Sequence, residues 1–246
     1  MLNNNTKGQL TITGTNPATN VIAIVFAAGG VVGTQVRDAA NQNNVVNYLE
    51  GGNQDGDASY VTAAASATFN DRPIAVTAAD IMTPVEKRVA VEILKLLQAY
   101  RASGANWCSC YPWADHSDGQ SNEGTLYGRV PLWDAATGST PSWADLGITV
   151  PAWLTTNDWW FVFFYTVAEA QSAWHTGGSL TVNGVAGTNI VLITTGPAGA
   201  GRPVGGAWDE YAHWPLYVDD GQNSDLGTVF VTPNSTAYAR DRLYKL

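Results

Sequence analysis

Hydrophobic and polar residues alternate over short stretches within residues 10–76, which is the pattern of half-buried β-strands. Leu10 and Ile12 alternate with polar neighbours, residues 21–26 form an apolar run, and segments rich in glycine and asparagine separate these stretches. Over residues 84–103 the apolar spacing changes to three and four residues, which predicts one amphipathic helix. The pattern therefore predicts an α+β fold with strands before and after a single long helix.

The predicted helix has start and stop signals in the sequence. Thr83 is a preferred N-cap residue, Pro84 suits the first helical position, and Glu86 completes a capping box. Gly104 follows as a C-terminal stop signal. The residues that share the apolar stripe are Val85, Val89, Ile93, Leu96, Leu97 and Tyr100.

A segment rich in aromatic residues follows the helix. Residues 159–165 are rich in β-forming side chains and too few for a membrane span, so they predict a central strand. The stretch before them is dominated by Gly, Ser, Pro and Asp, which predicts a long irregular connection held by aromatic anchors. Strands are predicted again from Leu180 to the C-terminus.

Five short blocks recur in the same order about 170 residues apart. The first copy has blocks that begin at Leu10, Asn20, Tyr48, Tyr60 and Asp71. The second copy has blocks that begin at Leu180, Asn189, Tyr217, Phe230 and Asp241. This period is too long for a solenoid, so the repeat indicates a duplicated half-domain. The predicted helix precedes only the second copy, which leaves the first sheet without a covering helix of its own.

Charge is sparse and acidic in this chain. Charged residues make up 13% of the sequence, about half the usual ~25%, and the net charge is −9. This balance argues against a protein that binds nucleic acid through its phosphate backbone. The first residues lack the charged and apolar regions of a signal peptide, so either the protein is cytoplasmic or its export segment is absent from this chain.

Cys108 and Cys110 are separated by a single residue. This spacing argues against a bond between them, because the geometry of a disulfide is hard to reach. Two cysteines alone do not build a zinc site. We therefore predict a local structural role for them.

Two loops rich in Asp and Asn are candidate calcium sites, since calcium takes six to eight oxygen ligands. The candidate ligands are Glu50, Asn53, Asp55 and Asp57 in the first loop, and Asp219, Asp220, Asn223 and Asp225 in the second. The spacing is not that of an EF-hand. The alternative is that these residues form turns.

Six short blocks occur after the start of the predicted helix, at residues 111–114, 141–147, 157–160, 181–184, 195–199 and 217–223. These blocks resemble the head of a type IV pilin or of a type II secretion pseudopilin. The resemblance covers 84–246 as a whole head and 10–76 as the sheet half of another. It implies two pilin-like heads, each with an antiparallel sheet: a partial head over 1–80 and a complete head over 81–246.

The resemblance implies a non-enzymatic surface subunit that acts in filament assembly, secretion or adhesion. Its place would be outside the cell or on its surface, facing the periplasm before assembly, and its partners would be other pilin-like subunits or further copies of itself. Pilins carry an N-terminal apolar helix, which this sequence lacks, so the resemblance implies that residues before Met1 are missing and that membrane attachment comes only through that helix. It also favours calcium in the second loop.

Two further functions stay open. The tryptophans and the candidate calcium loops would suit a calcium-dependent glycan-binding module. Tryptophans beside acidic residues would also suit a glycoside hydrolase, which requires two carboxylates facing each other at about 5–9.5 Å.

Overall fold

The computed structural model describes residues 3–116, 118–169, 178–196, 210–218, 221–232 and 242–246. Within these residues the chain is a mixed α+β protein. It divides into two compact units: residues 6–82 form one, and residues 83–246, together with the N-terminal residues up to Asn5, form the other. This division lies close to the boundary predicted at residue 80.

The 6–82 unit is built on four strands. They are β1 (Leu10–Gly14), β2 (Ala18–Ala27), β3 (Ser59–Thr62) and β4 (Arg72–Thr77). Their order in the sheet is β3-β1-β2-β4. β2 pairs antiparallel with β1 and β4, whereas β1 pairs parallel with β3. The prediction of a purely antiparallel sheet is therefore wrong, because β1 and β3 run in the same direction.

One long helix, α1 (Ala78–Ala102), follows β4 directly. Thr77 and Asp80 form its cap: Asp80 Oδ2 accepts the Thr77 amide at 2.8 Å, and the Asp80 amide donates to Thr77 Oγ1 at 3.3 Å. The predicted cap at Thr83 is wrong, because this earlier pair supplies the same capping chemistry. Pro84 consequently lies inside the helix rather than at its first position. No described helix is both long and apolar enough to cross a membrane.

The 83–246 unit contains the strands and short helices that follow α1. Its strands are β5 (Tyr127–Arg129), β6 (Phe163–Val167), β7 (Leu180–Val182), β8 (Val185–Thr188), β9 (Ile190–Thr194), β10 (Val229–Phe230) and β11 (Arg242–Lys245). Its short helices are α2 (Ala152–Thr156) and α3 (Glu210–Tyr217). An antiparallel sheet has the order β11-β9-β6-β5, and a smaller sheet has the order β10-β7-β8.

The central strand of the larger sheet begins later than predicted. Residues Trp159–Val162 form a short 3-10 helix, and the strand starts at Phe163. Asp158, the residue before this 3-10 helix, adopts a left-handed conformation (φ 51°), which interrupts the extended chain. β6 and its neighbour β9 are buried along their whole length. The core of this unit therefore lies at the β6–β9 pair.

The connection after α1 is irregular and held by aromatic side chains with a polar end. Tyr100 Oη donates to the Pro141 carbonyl at 2.6 Å, and Trp143 Nε1 donates to the Pro131 carbonyl at 2.8 Å. Both anchors are buried. Each therefore combines apolar packing with one hydrogen bond that fixes the loop.

Cys108 and Cys110 form a disulfide, with Cα atoms 5.1 Å apart. That separation lies within the usual range for a disulfide. The expectation that their spacing disfavours the bond is wrong. Ser109 between them has a left-handed backbone (φ 50°), a conformation that brings the two flanking side chains together.

Candidate functional site

The strand pairing of one unit recurs in the other. β1 pairs parallel with β3 and antiparallel with β2, and β7 likewise pairs parallel with β10 and antiparallel with β8. β4 pairs antiparallel with β2, as β11 does with β9. The single strand β2 therefore takes the places that β8 and β9 hold in the other unit. The strands that carry the matched sequence blocks therefore pair in the same way in the two units.

The pairing register identifies equivalent residues, because Arg72 and Arg242 each open an antiparallel edge strand. The equivalent pairs are Ala27 with Thr194, Arg72 with Arg242, Val25 with Leu192, and Ile74 with Tyr244. The sequence comparison that placed Asn20 against Asn189 is therefore shifted by two residues. An even shift leaves every side chain on its original face of the strand, so the comparison still assigned the faces correctly.

In the 83–246 unit, the buried carboxylate of Glu86 connects α1 to the strand pair β9–β11. Thr194 Oγ1 donates to Glu86 Oε1, and Arg242 Nη1 lies 3.2 Å from the same oxygen. Asn4 Nδ2 donates to Oε2. A fully buried carboxylate requires such donors, since its desolvation is otherwise costly. Glu86, predicted to cap the helix, instead joins the helix to the sheet.

The equivalent positions of the 6–82 unit are open to solvent. Val25 is 57% exposed and Ile74 is 62% exposed, whereas Leu192 is fully buried. Arg72 is exposed and makes no ion pair or side-chain hydrogen bond with any described residue. The face to which these residues belong, termed here the open face, consists of Ala23, Val25, Ala27, Arg72, Ile74 and Val76.

The first predicted calcium loop is held by two neighbouring carboxyl groups. Glu50 Oε2 accepts the amides of Asn70 and Asp71 at 3.0 Å each, and Oε1 accepts Gln35 Nε2 at 2.8 Å. Asp71 Oδ2 accepts the Glu50 amide at 2.7 Å and Asn53 Nδ2 at 3.1 Å. The two carboxyl groups therefore tie β4 to the loop that precedes β3.

These contacts shift the two pKa values in opposite directions. Burial favours the neutral form of Glu50, but the hydrogen bonds from Asn70, Asp71 and Gln35 outweigh it and lower the Glu50 pKa below 4.5. Burial, together with the nearby Glu50 charge, raises the pKa of Asp71 above 3.8. Asp71 therefore holds its proton more tightly than an ordinary aspartate does.

Asn53 and Asn223 make the same contacts in the two copies of the repeat. Asn53 Oδ1 accepts the Val61 amide at 2.7 Å, and its Nδ2 donates to the Val61 carbonyl at 3.1 Å. Asn223 makes both bonds with Val231, at 2.9 Å each. Each buried asparagine thus takes the place of a neighbouring strand. Both residues lie in the third matched block of the repeat, but the repeat does not reveal this structural role.

Asp55 and Asp57, which the sequence also proposed as ligands, lie on the surface and close turns. Asp55 Oδ1 accepts the Asp57 amide at 3.2 Å, and Asp57 Oδ1 accepts the Ser59 amide at 2.6 Å. This is the local hydrogen bonding expected of aspartates in turns.

In the second loop, Asp225 Oδ1 accepts the Gly227 amide at 2.7 Å. Asp219 and Asp220 lie outside the described residues. Over the described part of the chain, no group of three or more His, Cys, Asp or Glu side chains is placed to hold a metal. Calcium binding by these loops stays a prediction.

A second exposed surface surrounds Trp133. Its indole is 56% exposed and contacts the buried ring of Trp160, with centroids 5.9 Å apart. Gly119 lies against it: a Cβ at Gly119 would be only 3.0 Å from Trp133 Cγ. The Trp133 amide also donates to the Gly119 carbonyl at 3.0 Å. The indole is therefore exposed but fixed in position.

Two clefts of about 490 and 620 Å³ lie beside Trp133. Thr155 and Thr156 contribute hydroxyl groups to the first, and Asp134 and Ser142 contribute polar groups to the second. No Lys, Arg or His is among the described residues that line either cleft. Volumes of this size are typical of small-molecule sites.

Trp160 belongs in turn to a buried cluster around Arg129. The guanidinium carbon of Arg129 lies 5.3 Å from the Trp160 ring centroid and 4.1 Å from that of Phe161. Phe164 and Tyr217 complete the surrounding rings. Such contacts stabilise a cation by the negative faces of the rings. No sequence pattern identified this cluster, because Arg129 and Tyr217 are distant along the chain from Trp160, Phe161 and Phe164.

The chain matches no protein-family model, no curated protein and no solved structure. The open face and the Trp133 surface are therefore the features from which function is inferred.

Proposed function

We propose that the chain is a non-enzymatic, pilin-like surface subunit that acts in filament assembly, secretion or adhesion. The observation that carries this proposal is the open face. Val25 and Ile74 are exposed, although their equivalents belong to a strand pair that α1 contacts in the other unit. The equivalent strand pair of the 83–246 unit is covered, so we infer that the exposed apolar residues of the 6–82 unit form a surface that another chain occupies.

In this proposal the two units are pilin-like heads. The 83–246 unit has its helix, its aromatic connection and its antiparallel sheet, and is the complete head. The 6–82 unit is the partial head, whose sheet is finished by a partner. The partner is another pilin-like subunit or a further copy of the chain, and calcium in the loop near 219–225 steadies the assembled form. The low charged fraction of 13% supports a surface of this kind.

The test is site-specific photo-crosslinking in the cells that make the protein. A photoreactive amino acid replaces Val25 in one variant and Val185 in the other, since Val185 is a similarly exposed strand residue of the other unit. The proposal expects cross-links from position 25 to subunits that carry an N-terminal apolar helix, on the outer side of the membrane. Equal cross-linking from both positions, or products confined to the cytoplasm, would refute it.

A second candidate function is the binding of an uncharged glycan at Trp133. The observation that favours it is an exposed, fixed indole between two clefts whose described lining carries hydroxyl groups and no cation. The indole suits the apolar face of a sugar ring, and the hydroxyl groups suit its polar edge. The described lining holds no cation, which disfavours acidic sugars.

Titration with neutral and acidic hexasaccharides tests this function, with and without a calcium chelator. Trp133→Ala is expected to weaken binding about tenfold or more, whereas Trp107→Ala, which removes another exposed indole, leaves it unchanged. Ala152→Arg and Ala144→Arg each obstruct one cleft at an exposed position. Binding that persists in both arginine variants, or no binding of any neutral sugar, would exclude a glycan site here.

A further inference from the structure

We propose that the open face binds an amphipathic helix of a second pilin-like subunit, and that Arg72 forms an ion pair with a glutamate of that helix. This inference rests on the proposed function and specifies the partner surface. It follows from the equivalence of the two strand pairs. In the 83–246 unit the face that contains Thr194 and Arg242 receives α1, and Glu86 is the residue that reaches both.

The open face has the composition that a helix requires. Val25 and Ile74 stand directly opposite each other and form an exposed apolar centre. Ala23 and Ala27 lie on either side of Val25 along β2, and their small side chains leave room for a helix to approach closely. The amphipathic stripe of a helix is about as wide as such a strand pair.

The charge of Arg72 specifies which residue type the partner helix carries at the contact. Arg72 takes the place of Arg242, which lies 3.2 Å from the Glu86 carboxylate. Ala27 takes the place of Thr194, so the hydroxyl donor present in the other unit is missing on the open face. Of the two strand donors to Glu86, only the arginine has a counterpart on the open face, so the binding of a glutamate on the incoming helix is sensitive to the sign of the Arg72 charge.

The helix is supplied by another polypeptide. Within the described residues, α1 is the one helix with this length and a buried glutamate. Glu86 of α1 is already bound to Thr194 and Arg242 of its own unit. The same side chain cannot also occupy the open face. A helix of the same chemistry on a neighbouring subunit meets the requirement.

A synthetic peptide with the sequence of residues 78–102, labelled with a fluorophore, serves as the probe, and the full chain is the receptor. Saturable binding is expected. Val25→Asp and Ile74→Asp are each expected to raise the Kd about tenfold or more, because each places a charge at the centre of the apolar contact. Val185→Asp is the matched control and leaves the Kd unchanged, since Val185 is as exposed as the other two but lies in the 83–246 unit.

A charge exchange tests the ion pair. Arg72→Glu in the receptor is expected to weaken binding about tenfold, and a peptide with Glu86→Arg is expected to bind this variant while losing affinity for the natural receptor. All the receptor substitutions are at exposed positions, and thermal unfolding of each variant verifies that the fold is retained. A Glu86→Arg peptide that binds both receptors equally overturns the proposal, as does equal weakening by Val185→Asp.

Failure of this inference is distinguishable from failure of the proposed function. If the peptide does not bind while photo-crosslinks from position 25 still reach pilin-like subunits, the partner is not a helix, and the assembly role stands. If the peptide binds, adding it is expected to suppress those cross-links. Peptide binding that leaves the cross-links unchanged overturns the assignment of the helix to the partner subunit.

Discussion

Replacement of Glu86 by alanine tests the junction between α1 and the larger sheet. The substitution leaves Thr194 Oγ1 and Asn4 Nδ2 without their acceptor, and both residues are buried. Each unsatisfied donor costs about 1–3 kcal/mol. Arg242 is 37% exposed and is solvated after the change, so the lost ion pair adds only about 0–1 kcal/mol. We therefore expect a loss of about 4 kcal/mol in the free energy of unfolding of the 83–246 unit.

Urea unfolding followed by tryptophan fluorescence measures this loss selectively, because all ten tryptophans lie after residue 83. With a denaturant slope of about 2 kcal/mol/M, the midpoint falls by about 2 M. Glu92→Ala is the control: this residue of the same helix forms an exposed pair with Lys95 at 2.9 Å, and its loss costs at most about 0.5 kcal/mol. If Glu86→Ala moves the midpoint no further than Glu92→Ala does, the role assigned to Glu86 is refuted.

Four more substitutions have defined outcomes. Asn53→Ala and Asn223→Ala each remove two hydrogen bonds to the backbone and are each expected to lower the free energy of unfolding by about 1–3 kcal/mol. Only Asn223→Ala is expected to shift the unfolding transition followed by tryptophan fluorescence. A shift of that transition with Asn53→Ala contradicts the division into units. The raised pKa of Asp71 means that the folded unit binds its proton more tightly, so the stability of the 6–82 unit falls as the pH rises from 3.8 through that pKa. The lowered pKa of Glu50 has the opposite effect, and only below pH 4.5. Asp71→Asn is expected to remove the part of the pH dependence that comes from Asp71 in urea unfolding followed by amide NMR, and a pH profile unchanged by the substitution disproves the assignment. Gly128→Ala places a Cβ 2.0 Å from the Asp115 carbonyl oxygen and is expected to lower the urea midpoint followed by tryptophan fluorescence. Gly104→Ala, where a Cβ meets no atom within 4 Å, is the control and does not reproduce this shift.

The start of α1 illustrates how far local sequence reaches. The apolar spacing of three and four residues predicted a helix, and the described helix Ala78–Ala102 contains most of that stretch. The start was missed because the capping signals at Thr83 and Glu86 are as good locally as those at Thr77 and Asp80. The two candidate caps differ in their tertiary contacts. Glu86 accepts hydrogen bonds from strand residues distant along the chain, and the residues next to Glu86 in the sequence do not indicate these partners.

The repeat carried more information than any single motif. Its matched blocks predicted equivalent strands, and the even error in the alignment of Asn20 with Asn189 preserved the faces of those strands. The asparagines proposed as calcium ligands were located by the same repeat, yet their hydrogen bonds to Val61 and Val231 depend on three-dimensional placement.

The exposure of Trp133 also could not be predicted from the sequence. Aromatic residues in an irregular connection are mostly core anchors, as Trp143 is, and composition does not tell the exposed member from the buried ones. Gly119 permits the observed position of the Trp133 ring, because a Cβ at residue 119 would lie only 3.0 Å from Trp133 Cγ.

Methyl NMR of the full chain, with the unlabelled peptide of residues 78–102 added to saturation, tests the central claim most directly. The methyl groups of Val25 and Ile74 report from the centre of the open face, and those of Val185 report from outside it. The account predicts intermolecular NOEs from Val25 and Ile74 to apolar side chains of the peptide, and none from Val185. Methyl shifts of Val25 and Ile74 that stay unchanged at saturating peptide would contradict the claim that the open face receives a helix.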